Sequence, residues 1–428
     1  MRTTPPRTAV RRLAVGRLIS VTGGAAAYTA LNFTVWDRTH SPGMQALSLL
    51  LTFGVAGILG PVGGALGDRF DRRKVMIFAE AIAAAFFAAM AFAGSPGVLI
   101  ALAFGSAVAE LPFWSASRAA IPNLVESEDD ISWANSLIAI GGHAGIAVGP
   151  VIGGLLLGLR GASWVFAINS VSFVVSLLIT LTVRGRFQDE RRESDEHHEH
   201  EGITAGIAFL WRERVLRRMT LAWLVFVLGM GMGMVADAPL ADGFGAGGLG
   251  FGLLIACWGT GSVLGATAGR WMTARTEPVW MVAGAFGVAV AAIGVGLAPV
   301  FPLVLVALLL MGTSDGLTIV SENGIMQRRT PDAVRSRTMA AFEAVLSFGL
   351  VIAYLMAGPV LHAVGPQGVY TIGGVSAFAA AIVLLPLLRL RTEADVPGSA
   401  ELGLEPGEGP LPEPEAMLAP MGTEERAS

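Results

Sequence analysis

Long apolar runs separated by short polar turns occupy the chain from residue 14 to residue 388. Each run approaches the ~20 residues that an α-helix needs to cross ~30 Å of hydrocarbon. Stretches such as 45–67 and 75–95 lack the polar face that a helix on a soluble domain presents. Runs at 14–36, 45–67, 75–95, 97–117, 134–158, 162–183, 218–240, 248–269, 278–298, 301–323, 338–361 and 367–388 give about twelve predicted spans. Their glycines and scattered prolines are tolerated better in membrane helices than in soluble ones, and none alternates with the two-residue period of a membrane barrel. The expected fold is an all-α membrane protein, with twelve transmembrane helices in two pseudo-symmetric six-helix bundles.

Composition agrees with that pattern: 53% of residues are hydrophobic and 14% charged, with a mean hydropathy of +0.63. The distribution of charge adds orientation, because basic connections stay in the cytoplasm. Arg2, Arg7, Arg11 and Arg12 precede the first run, and alternate connections carry Arg69–Lys74, 184–192 with 212–218, Arg270 with Arg275, and 328–337. The other connections hold only Arg38 and Arg160. Both termini are therefore expected in the cytoplasm of a multi-pass cell-membrane protein. The basic N-terminus precedes a full-length apolar run without a convincing cleavage pattern, so that run reads as a retained first span and not as a signal peptide.

The expected organisation is a cytoplasmic N-terminus (1–13), a first bundle (14–183), a cytoplasmic connector (184–217), a second bundle (218–390) and a disordered tail (391–428) rich in Pro, Gly and Glu. The connector is expected to hold a short amphipathic helix near 203–211. Its "DEHHEHE" (195–201) has metal-binding side chains, but a solvated linker lacks the outer contacts that fix ligand geometry, and no metal is expected. The single cysteine, Cys257, excludes an internal disulfide framework and reads as a packing residue.

One connection concentrates charge: "GALGDRFDRRKV" (64–75) follows a stretch with no charged residue from 42 to 66. Sliding the chain by 201 residues aligns "GPVGGALGDRF" (60–70) with "GSVLGATAGRW" (261–271), and a shift of 209 aligns "PNLV" (122–125) with "PDAV" (331–334). Two matches in similar register argue for a duplicated six-span unit. A second motif, Gly145-x3-Gly149-Pro150-x2-Gly153-Gly154, sets glycines every four residues along one helix face, where backbones can approach closely, and places a bend-permitting proline among them.

These motifs resemble the major facilitator superfamily, in particular its proton-linked drug efflux branch, which includes macrolide and siderophore exporters. The resemblance covers about residues 10–390. Gly64, Asp68, Arg69, Asp71, Arg72 and Arg73 resemble the family's loop motif between spans two and three, with Asp71 where a glycine is usual. Gly145, Gly149, Pro150, Gly153 and Gly154 resemble its antiporter motif, with Ser136 in place of the leading glycine. "VWDRTHSP" (35–42), "SRAAIPNLV" (117–125), "WANSL" (133–137) and "FAINSVSF" (166–173) also resemble exporters of this branch. The resemblance implies that the 64–75 loop latches the two halves together when the carrier faces outward. Its duplicate has Gly269 where Asp68 stands, so the first-half loop is the expected dominant latch.

Ionisable groups inside the membrane carry the candidate chemistry, because a charge at mid-bilayer costs at least ~2.5–3.5 kcal/mol and persists mainly in a cavity or a pair. The candidates are Arg17, Glu110, Asp237, Asp315, Glu322 and Glu343. The resemblance implies a central cavity lined by spans one, four, seven and ten, which hold all of these except Glu343. Glu110 and Asp315 are the expected proton-carrying or cation-recognising carboxylates, about one helical turn apart in the duplicated frame; a fixed ion pair with a residue such as Arg17 is the alternative. Glu322 and Glu343 are expected nearer the cytoplasmic end, and Asp37 and Asp237 at an outer gate. His143 is expected to be packed and hydrogen-bonded, and the tryptophans, Trp114 and Trp258 among them, to act as interfacial anchors.

The expected function is secondary active transport: proton-coupled efflux of a hydrophobic or amphipathic compound of the drug or antibiotic class by a monomer. Export of a native metabolite such as a siderophore is the alternative within transport, and a transport-inactive sensor or scaffold is the alternative from another class. No P-loop, metal-ligand set or nucleophile–base arrangement is present in the sequence, so neither an enzyme nor a cofactor nor a nucleic-acid partner is expected.

Overall fold

The computed structural model describes residues 5–55, 59, 66, 69–125, 128–185, 187, 202–331 and 334–389. The histidine-rich 195–201, the tail 391–428, Gly64 and Asp68 lie outside the described residues.

Helix α1 (Pro6–Thr39) is followed by α2 (Pro42–Leu49), which runs on into a π-helical turn (Leu50–Val55). Next come α3 (Arg72–Met90), α4 (Pro96–Leu124), α5 (Glu128–Arg160) and α6 (Ala162–Thr182). The connector contributes α7 (Gly202–Arg212), at the place where an amphipathic helix is expected. The second half holds α8 (Arg214–Gly243), α9 (Gly247–Thr267), α10 (Glu277–Leu297), α11 (Phe301–Arg329) and α12 (Arg335–Leu384). Nine helices among the described residues are long and apolar enough to cross a membrane, and the last of these, Arg337–Arg389, contains two of the predicted runs. The two runs meet at Gly365, whose φ of 72° lies in the left-handed region open to glycine. Helix α3 stands where the third run is expected, and α2 begins the second.

Local chemistry starts the helices where the turns predict. Ser41, Ser95 and Asp71 each accept a hydrogen bond from the backbone three residues on, and Pro42 and Pro96 supply the fixed φ suited to a first turn. Glu213 caps α8 in the same way through Leu216 N at 2.5 Å.

Small residues set the helix crossings. A Cβ on Gly145 would sit 2.9 Å from Thr22 N, and one on Gly153 would sit 2.5 Å from Ala26 O, so the α5 glycines bring its backbone directly against α1. In the second half Gly312 and Gly316 of α11 meet the backbone of α9 at Trp258 and Ser262 in the same fashion.

Contacts between the halves gather at the end away from the basic clusters. Trp36 Nε1 donates to Asp242 Oδ2 at 3.0 Å, and His40 Nε2 lies 3.8 Å from the same oxygen. Gly154 abuts Gly248 and Leu249, Gly252 abuts Pro150, and Gly358 abuts Gly43. At the opposite end, arginines hold each half to itself. Arg7 pairs with Asp130 at 3.2 Å, Arg12 donates to Thr182 O at 3.1 Å, and buried Glu213 meets Arg329 at 3.4 Å. Arg328 also pairs with Glu277.

Candidate functional site

Between the halves lies a cavity of about 900 Å³. Its wall is built from helical stripes. On α4, Ala103, Ser106, Ala107, Glu110, Leu111 and Trp114 recur at three- and four-residue steps and so share one face. On α8 the stripe runs through Phe226, Met230, Gly233, Met234 and Asp237, and on α11 through Leu308, Met311 and Asp315. Helix α1 contributes Arg17, Ser20, Gly24 and Tyr28. Most of the wall is apolar or aromatic, with one acidic or basic side chain from each of four helices. That composition suits a ligand with a large apolar body and few polar groups.

Four of the sequence candidates, Arg17, Glu110, Asp237 and Asp315, therefore share one cavity. The Arg17 guanidinium carbon lies 3.5 Å from the centre of the Trp114 ring, in a cation–π arrangement. Among the described residues no carboxylate lies within 4.0 Å of it. Glu110 Oε1 accepts from Ser106 Oγ at 3.1 Å, one turn away on the same helix. Asp237 Oδ1 accepts from the Tyr370 hydroxyl. Glu322, seven residues beyond Asp315, stays out of the lining but lies within electrostatic range of Asp315 and Glu343.

Several expectations are corrected. Asp237 faces the cavity rather than an outer gate, because α8 continues to Gly243 and leaves Asp237 well inside the helix. The acid at the junction of the halves is Asp242, bonded to Trp36. Trp114 and Trp258 face the cavity and are not interfacial anchors, since their helical phase matches Glu110 and Leu254. His143 is exposed on α5 rather than packed, because the Gly141 and Gly145 side of that helix turns toward α1.

One buried acid escaped the sequence reading. Glu80 of α3 is 2% exposed, and its carboxylate accepts from Ser176 Oγ and, at 3.5 Å, from Thr180 Oγ1 of α6. As an acid inside an apolar run it carried the same signal as Glu110. Its position off the cavity-lining helices hid it.

In the charged motif, Asp71 Oδ1 caps α3 through Lys74 N at 2.9 Å. Arg72 donates to Ala119 O at 2.9 Å and Arg73 to Leu181 O at 2.8 Å, near the C-terminal ends of α4 and α6, where a cation meets the negative end of the helix dipole. Arg69 lies 5.9 Å from the Phe70 ring centre.

The sequence matches the family model described as Major Facilitator Superfamily over residues 13–275 and 233–418. It is 24% identical over 393 residues to the enterobactin exporter EntS of Escherichia coli O1:K1, covering 89% of this chain and 92% of that protein. It is 25% identical over 394 residues to the enterobactin exporter of Shigella boydii serotype 18, with the same coverage. The fold is similar to that of the nucleoside transporter NupG, with a TM-score of 0.71 at 13% identity, covering 90% of this chain and 100% of that one. It is also similar to a bacterial homologue of the iron transporter ferroportin in an inward-facing state, with a TM-score of 0.67 at 14% identity, covering 90% and 99%.

Proposed function

The chain belongs to the major facilitator superfamily, and on that footing we propose that this membrane transporter is an exporter that drives an amphipathic compound out of the cell in exchange for protons. The observation that carries the reading is the cavity between the halves: about 900 Å³, largely apolar, with Glu110 and Asp315 contributed from opposite halves. A carboxylate in such a setting is costly to keep charged and unpaired, so each acid holds a proton or a partner. Exchange of one for the other links proton movement to substrate movement.

Basic connections mark the cytoplasmic end. On that assignment the contacts through Trp36, Asp242, Gly154 and Gly248 close the outer end, and the cavity belongs to the inward-facing arm of an alternating-access cycle. Asp68, by the family resemblance, serves the opposite state as a cytoplasmic latch.

The substrate reading divides in two. The apolar wall favours drug-like hydrophobic compounds, whereas the enterobactin exporters among the relatives favour a secreted native metabolite of the siderophore kind. Metabolite retention in a deletion strain, set against its drug-resistance profile, separates them.

The test of export uses inverted membrane vesicles with an acidified interior. A lipophilic fluorescent substrate should accumulate inside, and collapsing the pH gradient should abolish that accumulation. Accumulation that persists after collapse removes proton coupling from the account. Ligand binding without flux of any compound favours the sensor alternative instead.

A further inference from the structure

Many arginines at the end of the basic clusters are bonded to protein. Arg7, Arg328 and Arg329 pair with acids, and Arg12, Arg72 and Arg73 donate to backbone carbonyls. At the corner where α7 gives way to α8 the pattern changes. Arg212, Arg214, Arg217 and Arg218 are all exposed, and so is Arg337 of α12, whose backbone packs directly on Gly206 of α7. Among the described residues no carboxylate lies within 4.0 Å of any of these five. Their one side-chain hydrogen bond among the described residues runs from Arg217 Nη1 to Trp211 O at 3.3 Å.

The two helices present this charge beside apolar surface. In α7, Gly206, Phe209 and Leu210 are buried, whereas Ile207 and Trp211 are 41% and 39% exposed. Glu213, with an extended backbone, breaks the helix there and caps α8. On α8, Val215, Leu216, Met219 and Thr220 turn inward. Arg214, Arg217, Arg218 and Leu221 recur at three- and four-residue steps and share the opposite face. Leu221 is 41% exposed and opens the outward apolar wall of the span. At 1.5 Å per residue, Arg218 and Arg214 lie ~5 Å and ~10 Å before it along α8, the depth at which a span leaves hydrocarbon for headgroups. Trp211, an amphipathic ring of the kind enriched at that boundary, stands beside them.

We propose that the α7–α8 corner is a binding site for an anionic phospholipid of the cytoplasmic leaflet, with its phosphodiester held by Arg214, Arg217 and Arg218, Arg212 and Arg337 flanking it, and its acyl chains lying along Trp211 and Leu221. Guanidinium forks match phosphate oxygens in pairs, and each arginine near an anionic surface strengthens binding about fivefold. A zwitterionic headgroup carries its own ammonium and gains less. A soluble acidic partner would answer the charge but leave the alignment with Leu221 unused. Helix α7 packs on α12, continues into α8, and is followed by Glu213, which pairs with Arg329 of α11. A lipid held here therefore ties the cytoplasmic ends of three second-half helices to the leaflet. The site is separate from the cavity and does not depend on the exporter reading.

The test uses the full chain in nonionic detergent, titrated with dioleoylphosphatidylglycerol or dioleoylphosphatidylcholine, with bound lipid read by native mass spectrometry. The wild type should retain phosphatidylglycerol about tenfold more tightly than phosphatidylcholine, and added salt should weaken the former alone. The Arg214→Gln/Arg217→Gln/Arg218→Gln variant should bring the two lipids within about twofold of each other, with phosphatidylcholine binding unchanged as the sign of a folded protein. Arg270→Gln/Arg275→Gln, which removes charge from another connection at the same end, should keep the preference. Equal retention of the two lipids by the wild type overturns the site, and that result needs no variant to fold. An undiminished preference in the triple variant, or an equal loss in the Arg270/Arg275 control, overturns it as well. Inorganic phosphate that displaces phosphatidylglycerol at millimolar concentration assigns the corner to a soluble anion instead. A preference that emerges only after deletion of 195–201 assigns it to that acidic stretch of the connector.

Discussion

Glu110 and Asp315 occupy the same place in two equivalent helices: each is the fifteenth residue of a helix of 29, α4 beginning at Pro96 and α11 at Phe301. Both side chains line the one cavity. The duplicated unit has therefore kept an acid at corresponding depths in its two halves, closer in register than the prolines beyond the spans indicate. Both acids line one cavity from opposite halves, and the proposed exchange assigns them the ligand and the proton.

Neutral isosteres test that role. Glu110→Gln and Asp315→Asn keep size and hydrogen-bonding capacity but cannot release a proton. Each should lower gradient-driven export at least about tenfold, the loss expected when a proton-transfer step with a contribution of ~10²–10⁴-fold is removed. Binding of substrate to the purified variants should persist. Wild-type export by either variant contradicts the assignment.

Arg17 depends on Trp114 in this arrangement, because the indole face is the partner that the guanidinium has in place of a carboxylate. Trp114→Ala should reduce apparent substrate affinity roughly twofold to thirtyfold, matching a cation–π interaction of ~0.5–2 kcal/mol. Trp114→Phe, which keeps an aromatic face, should lose less. Concentration dependence of vesicle uptake supplies the comparison, and equal losses in the two variants would count against a cation–π role.

The α1–α5 crossing makes a stability prediction. Gly153 lies against the Ala26 backbone, where a Cβ would be 2.5 Å from the carbonyl oxygen, whereas Gly158 on the same helix has nothing within 4 Å. Gly153→Leu should lower the thermal unfolding midpoint in detergent, since overpacking costs ~1–3 kcal/mol, and Gly158→Ala should leave it in place. Equal midpoints for both variants and the wild type would show that this crossing is looser than described.

Closure at the end opposite the basic clusters rests in part on the Trp36–Asp242 hydrogen bond. A hydrogen bond to a charged group contributes ~1.5–3 kcal/mol when buried, and less here because Asp242 is 42% exposed. Asp242→Ala should raise the population of the state opened at that end several-fold. Spin-label distances between the ends of α1 and α8 provide the measurement; an unchanged distance distribution would remove this contact from the gate.

The apolar runs made the helices legible, since length and the lack of a polar face are read directly from residue order. Glu110 and Asp315 were legible for the same reason: an acid in an apolar run is expensive and demands a use. Asp237 was found but misplaced, because its predicted run, 218–240, stops short of the Gly243 end of α8. Trp114 and Trp258 were misread because sequence gives the position of a residue along a helix but not the rotation of that helix toward a cavity. The Tyr370–Asp237 bond joins residues 133 positions apart, and only the packing of α8 on α12 brings them together. Glu80 was overlooked although its cost was visible in the sequence, since its helix is not among those expected to line the cavity, and its partners Ser176 and Thr180, about a hundred residues away, are brought to it only by packing.

Proton movement in reconstituted vesicles tests the central claim most directly. With purified protein in proteoliposomes and a pH-sensitive dye trapped inside, addition of a transported compound should release a proton flux in the opposite direction, and the Glu110→Gln/Asp315→Asn double variant should abolish it. Substrate that crosses at the same rate with and without a pH gradient, and with no accompanying proton flux, would contradict the account.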